Sequence, residues 1–125
     1  MAAYLVLMQE VHDVDRYRNE YVPGVVPLLQ KHGAKVLVTG FDAEVAEGDA
    51  PNSTVVIRFA DTEAVWGFLN DPDYQPVKEI RLSTTSRGQM VVAPEFQPSV
   101  LTVLPGTWVP AISGVELATV PTVNW

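Results

Sequence analysis

Runs of apolar residues alternate with amphipathic segments along the first 95 residues of the chain. Apolar runs rich in strand-forming side chains predict strands, because a buried strand is apolar at most of its positions. The predicted strands span residues 4–8, 34–38, 54–59 and 89–93. Residues 41–53 are acidic and contain Gly48, Pro51 and Asn52, which predicts a loop.

Apolar side chains spaced three and four residues apart predict a first helix that begins after Asp13 and ends at Gly33. Pro23 and Pro27 each lack a backbone donor, so a kink or a break is expected near residues 21–22, with a restart at Pro23.

A second helical region follows Asp61, which is placed to cap it. The pattern predicts a short helix over residues 62–70, stopped by the pair at 71–72, and another turn or two from Pro76 to Leu82. Tyr74 lies between them and is expected to pack its ring against the preceding helix.

The order strand, helix, strand, strand, helix, strand predicts an α+β fold. The expected arrangement is a ferredoxin-like βαββαβ antiparallel sheet with its helices on one face. Residues 4–8 and 54–59 also place apolar groups on the other face. A second copy of the sheet is the simplest cover for them, so a homodimer is expected. Alternatively, the C-terminal segment folds back over that face.

The 125-residue length indicates one domain, which we assign to residues 1–95. From Pro94 onward the chain is rich in proline and apolar residues, and its only charged residues are Glu95 and Glu116. Since disordered tails are usually polar and charged, we expect residues 96–125 to form an apolar, proline-rich arm. The arm would pack on the domain or on a partner subunit, with disorder as the alternative.

The net charge of −7 argues against nucleic acid and anionic membrane surfaces as partners. The chain has no cysteine, no basic, apolar leader pattern and no apolar run long enough to cross a bilayer. These features together predict a cytoplasmic protein.

Sequence motifs for cofactors are missing: there is no phosphate loop, dinucleotide fingerprint, nucleophile elbow or paired metal-ligand spacing. We therefore expect no cofactor and no metal. Of the two histidines, His12 fits an exposed loop. His32 lies at a helix end, where it is either a cap or a general acid or base. A third role, as ligand to a haem iron, has no support from any other residue of the sequence.

Tyr17 and Tyr21 lie four residues apart on one helical face, where they either fill the core or bind a carbonyl or enolate oxygen. Arg58 interrupts an apolar strand, so it must be paired or must reach solvent or an anionic ligand. Lys78 and Arg81 share a helix face. They form either a solvated ion-pair rim or an edge that binds a carboxylate.

At several of these residues the chain resembles a family of uncharacterised proteins, numbered 1330 among the domains of unknown function. The matching positions are Tyr17, Tyr21, residues 32–37, Glu47-Gly48, residues 55–57 and residues 71–82. The resemblance covers most of residues 1–95 and implies a dimeric α/β barrel without implying an activity. Thr39 and Arg58 depart from the family pattern, which commonly has an Arg and an acidic residue at those positions.

Our leading hypothesis is a small cofactor-independent enzyme of the isomerase, lyase or cyclase type. It would act by proton transfer on a small apolar, oxygenated molecule held between helices and sheet. His32, Tyr17 and Arg58 are the predicted catalytic residues. The predicted substrate-binding residues are Tyr21, Tyr74, Lys78 and Arg81. The alternative is a non-catalytic small-molecule-binding or structural homodimer.

Overall fold

A four-stranded antiparallel sheet forms the framework of the computed structural model, with strand order β2-β3-β1-β4. The model describes residues 1–97, so residues 98–125 of the expected arm lie outside it. The strands are β1 (Ala3–Val11), β2 (Lys35–Val38), β3 (Ser53–Phe59) and β4 (Thr85–Pro94). The predicted βαββαβ antiparallel architecture is confirmed.

Strand β1 lies at the centre of the sheet and alternates strictly between buried and partly exposed positions. Leu5, Leu7 and Gln9 belong to its buried set and face the helices. The strand runs three residues beyond the predicted end at Met8, because Glu10 and Val11 continue the pairing with β4. A bulge between Met8 and Glu10 shifts this register.

The first helical region is continuous, where a kink or a break near residues 21–22 and a restart at Pro23 were expected. It comprises α1 (Val14–Arg16), a π-helical turn (Tyr17–Tyr21) and α2 (Val22–Lys31). The backbone N–H of Val22 donates to Tyr17 O, five residues back, and Pro23 then occupies the first turn of α2. The backbone N–H groups in the first turn of a helix have no partner within it, so the N–H that Pro23 lacks is not needed there. The widened π-helical turn therefore accommodates Pro23 without interrupting the helix.

The second helical region contains α3 (Thr62–Leu69) and α4 (Tyr74–Thr84). Asp61 caps α3 as expected, and its Oδ1 accepts from the backbone N–H of Ala64 at 2.8 Å. Helix α4 begins two residues before the predicted Pro76, since the N–H of Tyr74 already turns back to Asp71 O at 2.9 Å. This earlier start places Tyr74 on the same helix as Arg81.

The hydrophobic core lies between the helices and the inner face of the sheet. Its most deeply buried side chains include Leu5, Phe59, Val65, Phe68 and Tyr74, each 2% exposed or less. Phe68 contacts both Phe59 and Tyr74, with ring centroids 5.8 and 4.6 Å apart. These contacts hold α3 and the start of α4 against the sheet.

Among residues 1–97, no helix covers the outer face of the sheet. Val6 pairs with Val56 on one side and Val91 on the other, which gives a row of three valines across β3, β1 and β4. Val91 is 55% exposed. Arg58 lies exposed on this same face, opposite Tyr4.

Candidate small-molecule pocket

A cavity of about 280 Å³ lies between the inner face of the sheet and the helices. Apolar side chains form most of its wall, including Leu5, Leu7, Val25, Leu29, Val55 and Ile57. Its volume is near the lower end of the range of about 300–1,000 Å³ that is typical of small-molecule sites. The cavity therefore suits a small and mainly apolar ligand.

The cavity reaches the surface between α2 and the edge strand β2. Val22 and Val26 on α2 and Val36 on β2 line it, and they are 38%, 41% and 43% exposed. A mouth of this composition admits apolar molecules readily, because it offers no charged side chain that a ligand would have to desolvate.

Three tyrosines, Tyr17, Tyr21 and Tyr74, line the cavity. They belong to a buried network completed by Gln9 and Arg81, which we call the tyrosine–arginine network. Arg81 Nε donates to Tyr74 Oη at 3.4 Å, and Arg81 Nη1 donates to Gln9 Oε1 at 3.3 Å. Gln9 Nε2 in turn donates to Tyr17 Oη at 3.2 Å. Tyr21 shares a hydrogen bond with Tyr74, and its ring lies 5.0 Å from that of Tyr17.

Arg81 is only 7% exposed, and no carboxylate of residues 1–97 lies within ion-pair distance of it. Its guanidinium is partnered by neutral groups alone. This corrects the expected charged rim, because Arg81 turns inward while Lys78 remains partly exposed. A buried cation without a counter-charge raises the electrostatic potential around it and favours a nearby negative charge.

Burial is the main cause of a raised pKa at two of the tyrosines. It raises the pKa of Tyr17, against the opposing effects of Arg81 and the hydrogen bond from Gln9. Burial, followed by the neighbouring Tyr74, raises the pKa of Tyr21 well above its usual value. Both hydroxyls therefore keep their protons at neutral pH and can donate to a ligand.

A second, more polar cavity of about 350 Å³ adjoins the first and shares Tyr17, Val22 and Thr39 with it. Arg18 and Asp42 also line it. Thr39, one of the departures from the family pattern, thus contributes to both cavities. The arrangement gives the apolar cavity a polar neighbour on the side of Tyr17.

His32 lies in a separate cluster, which we call the Asp71 clasp. His32 Nε2 and Lys31 Nζ lie 2.8 and 2.9 Å from Asp71 Oδ2, and the backbone N–H of Asp73 donates to Asp71 Oδ1 at 2.9 Å. The hydrogen bonds from Lys31 and His32, then that from Asp73, hold the pKa of Asp71 far below its usual range. The clasp joins the C-terminus of α2 to the loop before α4.

The structure thus brings together four of the sequence-predicted site residues, namely Tyr17, Tyr21, Tyr74 and Arg81. His32 lines neither cavity, and its ring lies 6.0 Å from that of the wall residue Phe68, measured between centroids. Arg58 lies on the opposite face of the sheet and Lys78 lines neither cavity. His32 bonds a side chain rather than helix carbonyls through its ring, so its cap role takes a different form from the one expected.

Gln9 was missed by the sequence reading. It has the same strand parity as Leu5 and Leu7, which marks it as an inward-facing polar residue once β1 is extended past Met8. An amide at such a position must find buried partners, and here they are Arg81 and Tyr17.

Metal-type ligands do not cluster in residues 1–97, where no group of three or more His, Cys, Asp or Glu side chains could hold an ion. Within the same range no helix combines the length and apolar character needed to cross a membrane.

The fold and the pocket define a ferredoxin-like α+β domain with an internal, mainly apolar cavity. Residues 2–95 match the model of the domain of unknown function DUF1330, and the chain belongs to that family. No curated protein matches the chain.

Solved structures share this fold at low sequence identity. A protein of unknown function from Rhodopseudomonas palustris is 13% identical with a TM-score of 0.65, over 78% of this chain and 84% of that one. A dimeric ferredoxin-like protein of unknown function from Jannaschia sp. is 15% identical with a TM-score of 0.60, over 76% and 100% of the two chains. The cofactor-independent oxygenase SnoaB from Streptomyces nogalater is 15% identical with a TM-score of 0.55, over 77% and 94%.

Proposed function

We propose that this protein is a small enzyme that works without a cofactor on a small, mainly apolar molecule bearing a carbonyl, enol or phenol oxygen. The ligand lies in the 280 Å³ cavity, with its oxygen at the tyrosine–arginine network. The reaction class is proton transfer next to that oxygen.

The observation that carries this proposal is the buried Arg81, which has no carboxylate partner in residues 1–97. Keeping an unpaired cation out of water is costly unless something nearby uses its charge. Arg81 reaches the cavity through Tyr74, and through Gln9 to Tyr17. Negative charge that develops on a bound oxygen would meet these hydroxyls and the guanidinium behind them.

Proton transfer also needs an acceptor. Among the described residues, Asp42 is the one carboxylate that lines either cavity. In the proposed reaction, a proton leaves the carbon beside the substrate carbonyl and passes to Asp42, directly or through water. The electron pair of the broken C–H bond forms a C=C bond while the carbonyl π pair moves onto the oxygen, where the tyrosine hydroxyls stabilise the enolate. Asp42 then returns the proton to another carbon, or to the other face of the same carbon, as the carbonyl re-forms, which completes an isomerisation.

The second candidate is non-catalytic binding of the same class of molecule. It is favoured by the wall of the apolar cavity, which contains no histidine, aspartate or glutamate among the described residues. In this role the network would select the ligand by its oxygen and perform no chemistry.

Exchange of substrate protons with heavy water separates the two candidates. Phenylacetone, an apolar ketone with acidic C–H groups, is titrated into the protein, and its exchange in D2O is followed by NMR. Exchange that is accelerated by the wild type and lost in Asp42→Asn supports the enzyme. Binding without accelerated exchange supports the non-catalytic role, while failure of phenylacetone and of the phenol probe described below to bind would contradict both.

We further propose that two copies of this chain associate through the outer face of the sheet. Within residues 1–97, the row formed by Val6, Val56 and Val91 leaves apolar surface exposed, and solved neighbours of the same fold are described as dimeric. Sedimentation of the wild type should show a dimer, and Val56→Glu should shift it to a monomer. A cytoplasmic location remains a prediction from the sequence.

A further inference from the structure

The chemistry of Arg81 sets the direction of the hydrogen bonds that join it to Tyr74 and, through Gln9, to Tyr17. A guanidinium has only donors, so the atom of Gln9 that faces Arg81 Nη1 at 3.3 Å must be the amide oxygen. The amide NH₂ of Gln9 therefore faces Tyr17 and donates to its hydroxyl oxygen at 3.2 Å. This assignment follows from the donor-only guanidinium and leaves no choice of amide flip.

The Tyr17 hydroxyl consequently accepts on its network side, and its own proton has to point elsewhere. Its hydrogen bond from Gln9 is its one hydrogen bond within residues 1–97, and Tyr17 lines both cavities. The free direction for the proton is thus the cavity. Since burial raises the pKa of Tyr17, the proton stays on the oxygen at neutral pH.

The same reasoning applies to the hydroxyl group of Tyr74. Its oxygen accepts from Arg81 Nε at 3.4 Å, so its proton is directed to Tyr21 or to the cavity. Whichever of the two tyrosines donates to the other, the pair still has one hydroxyl proton to offer to a ligand. The network therefore offers donors to the cavity at both Tyr17 and the Tyr21–Tyr74 pair.

We propose that Gln9, held by Arg81, is a positioning residue that turns the Tyr17 proton into the cavity, so that the site selects ligands with an anionic or acceptor oxygen. An enolate or a phenolate is the favoured ligand, and a molecule with the same shape and a weaker acceptor binds less well. This inference rests on the proposed function only in requiring that the cavity takes a small apolar ligand.

The substitution Gln9→Glu tests the direction of the hydrogen bond between residue 9 and Tyr17 while keeping the shape of the side chain. A carboxylate at this position pairs with Arg81 and can only accept, so Tyr17 must turn its proton away from the cavity and toward residue 9. Gln89→Glu is the matched control, because it adds the same charge at an exposed position on β4. Tyr17→Phe removes the hydroxyl altogether.

The probes are para-nitrophenol, whose anion is yellow, and para-nitroanisole, which has nearly the same shape and cannot ionise. We expect the wild type and Gln89→Glu to bind the phenolate more tightly than the anisole and to lower the pKa of the bound phenol. Gln9→Glu and Tyr17→Phe should each lose phenolate affinity by about 10- to 100-fold. Their affinity for para-nitroanisole should stay within about twofold of the wild type, since the apolar wall is intact.

Each other result has a definite meaning. If the wild type binds neither probe, and phenylacetone does not bind either, the proposed function itself fails. Equal binding of the two probes by the wild type, or an unchanged phenolate preference in Gln9→Glu, would overturn the role of Gln9 and leave the pocket standing. If Gln9→Glu does not fold, Tyr17→Phe decides, because retained phenolate preference in that variant would equally overturn the inference.

Discussion

Asp71 and Arg81 are both buried, charged side chains in the same part of the chain, yet their surroundings are opposite. Asp71 is 6% exposed and Arg81 is 7% exposed. Asp71 receives hydrogen bonds from Lys31, His32 and the backbone of Asp73. Arg81 meets only neutral oxygens within residues 1–97.

This difference separates a charge that holds the fold together from one that we assign to a ligand. Removing a partner from a compensated buried charge destabilises a protein, because the remaining charge is left without compensation. An uncompensated charge adds little stability, so its retention in a buried site suggests another use. The comparison therefore predicts that stability and binding can be changed separately in this protein.

The largest effect is expected from Arg81→Met, which replaces the cation by an apolar side chain of similar length. We expect the affinity for para-nitrophenolate to fall by about 100-fold, because the network loses its source of positive potential. The free energy of unfolding should change by less than about 2 kcal/mol, since relief of the buried charge offsets the acceptors left unpaired on Gln9 and Tyr74. Probe titration and urea unfolding measure the two quantities.

Arg16→Met, at an exposed ion pair on α1, is the control and should leave both the phenolate affinity and the free energy of unfolding unchanged. A large loss of stability with intact phenolate binding would contradict the comparison.

Asp71→Asn should have the reverse effect. The amide cannot compensate Lys31 and also accept from His32, so the clasp opens and the melting temperature falls clearly. Binding of para-nitrophenolate by the folded protein should remain within about twofold of the wild type, because the Asp71 carboxylate makes no hydrogen bond to a side chain of the network. Asp73→Asn is the matched control, since that carboxylate is 76% exposed and lies 3.8 Å from Lys31 Nζ. Loss of probe binding in Asp71→Asn at a temperature where it is folded would show that the two regions are coupled.

His32→Ala should show a smaller effect of the same kind. The variant loses one of the bonds to Asp71 and the edge contact with Phe68, while Lys31 still compensates the carboxylate. We expect a loss of about 1–2 kcal/mol in thermal or urea unfolding, the ordinary range for a partly buried side chain. Proton exchange of phenylacetone should be unchanged. A selective loss of that exchange would restore His32 as a general acid or base.

Lowering the pH should reduce the difference in the free energy of unfolding between the wild type and Asp71→Asn. The pKa of Asp71 is lower in the folded state than in the unfolded chain, so the unfolded chain takes up its proton first as the pH falls. The contribution of Asp71 is thus complete above its unfolded pKa of about 4 and is lost progressively below it. Urea unfolding at a series of pH values should show the two proteins converging only in that acidic range. A gap that closes near neutral pH would mean that another group controls the clasp.

Much of the fold could be predicted because it depends on local patterns. The apolar run of β1, the cap at Asp61 and the apolar spacing of α2 are readable in neighbouring residues, and the structure confirms each of these elements. The errors were also local, since α4 was predicted to begin at Pro76. Starting it at Tyr74 would have placed Tyr74 and Arg81 seven residues apart on one helical face, which is the geometry that the structure shows.

The residue types in the sequence suggested that tyrosines line a pocket and that a positively charged side chain binds an anionic ligand. Both Arg58 and Arg81 were candidates for this role in the sequence, which could not indicate that Arg81 is buried while Arg58 lies exposed on the opposite face of the sheet. Arg58 interrupts an apolar strand and looks more unusual in the sequence than Arg81 does. Its strand position gives it an exposed outer site, while the early start of α4 turns Arg81 inward.

The order of helices and strands, and the inward parity of the strands, were therefore determined by the sequence through spacings of two, three and four residues. The tertiary structure alone decided which buried charge is compensated. Lys31 and Asp71 are 40 residues apart in the chain, and Arg81 and Gln9 are 72 residues apart. Electrostatic compensation depends on distances of about 3 Å in space, and no local pattern reports which distant side chains will meet.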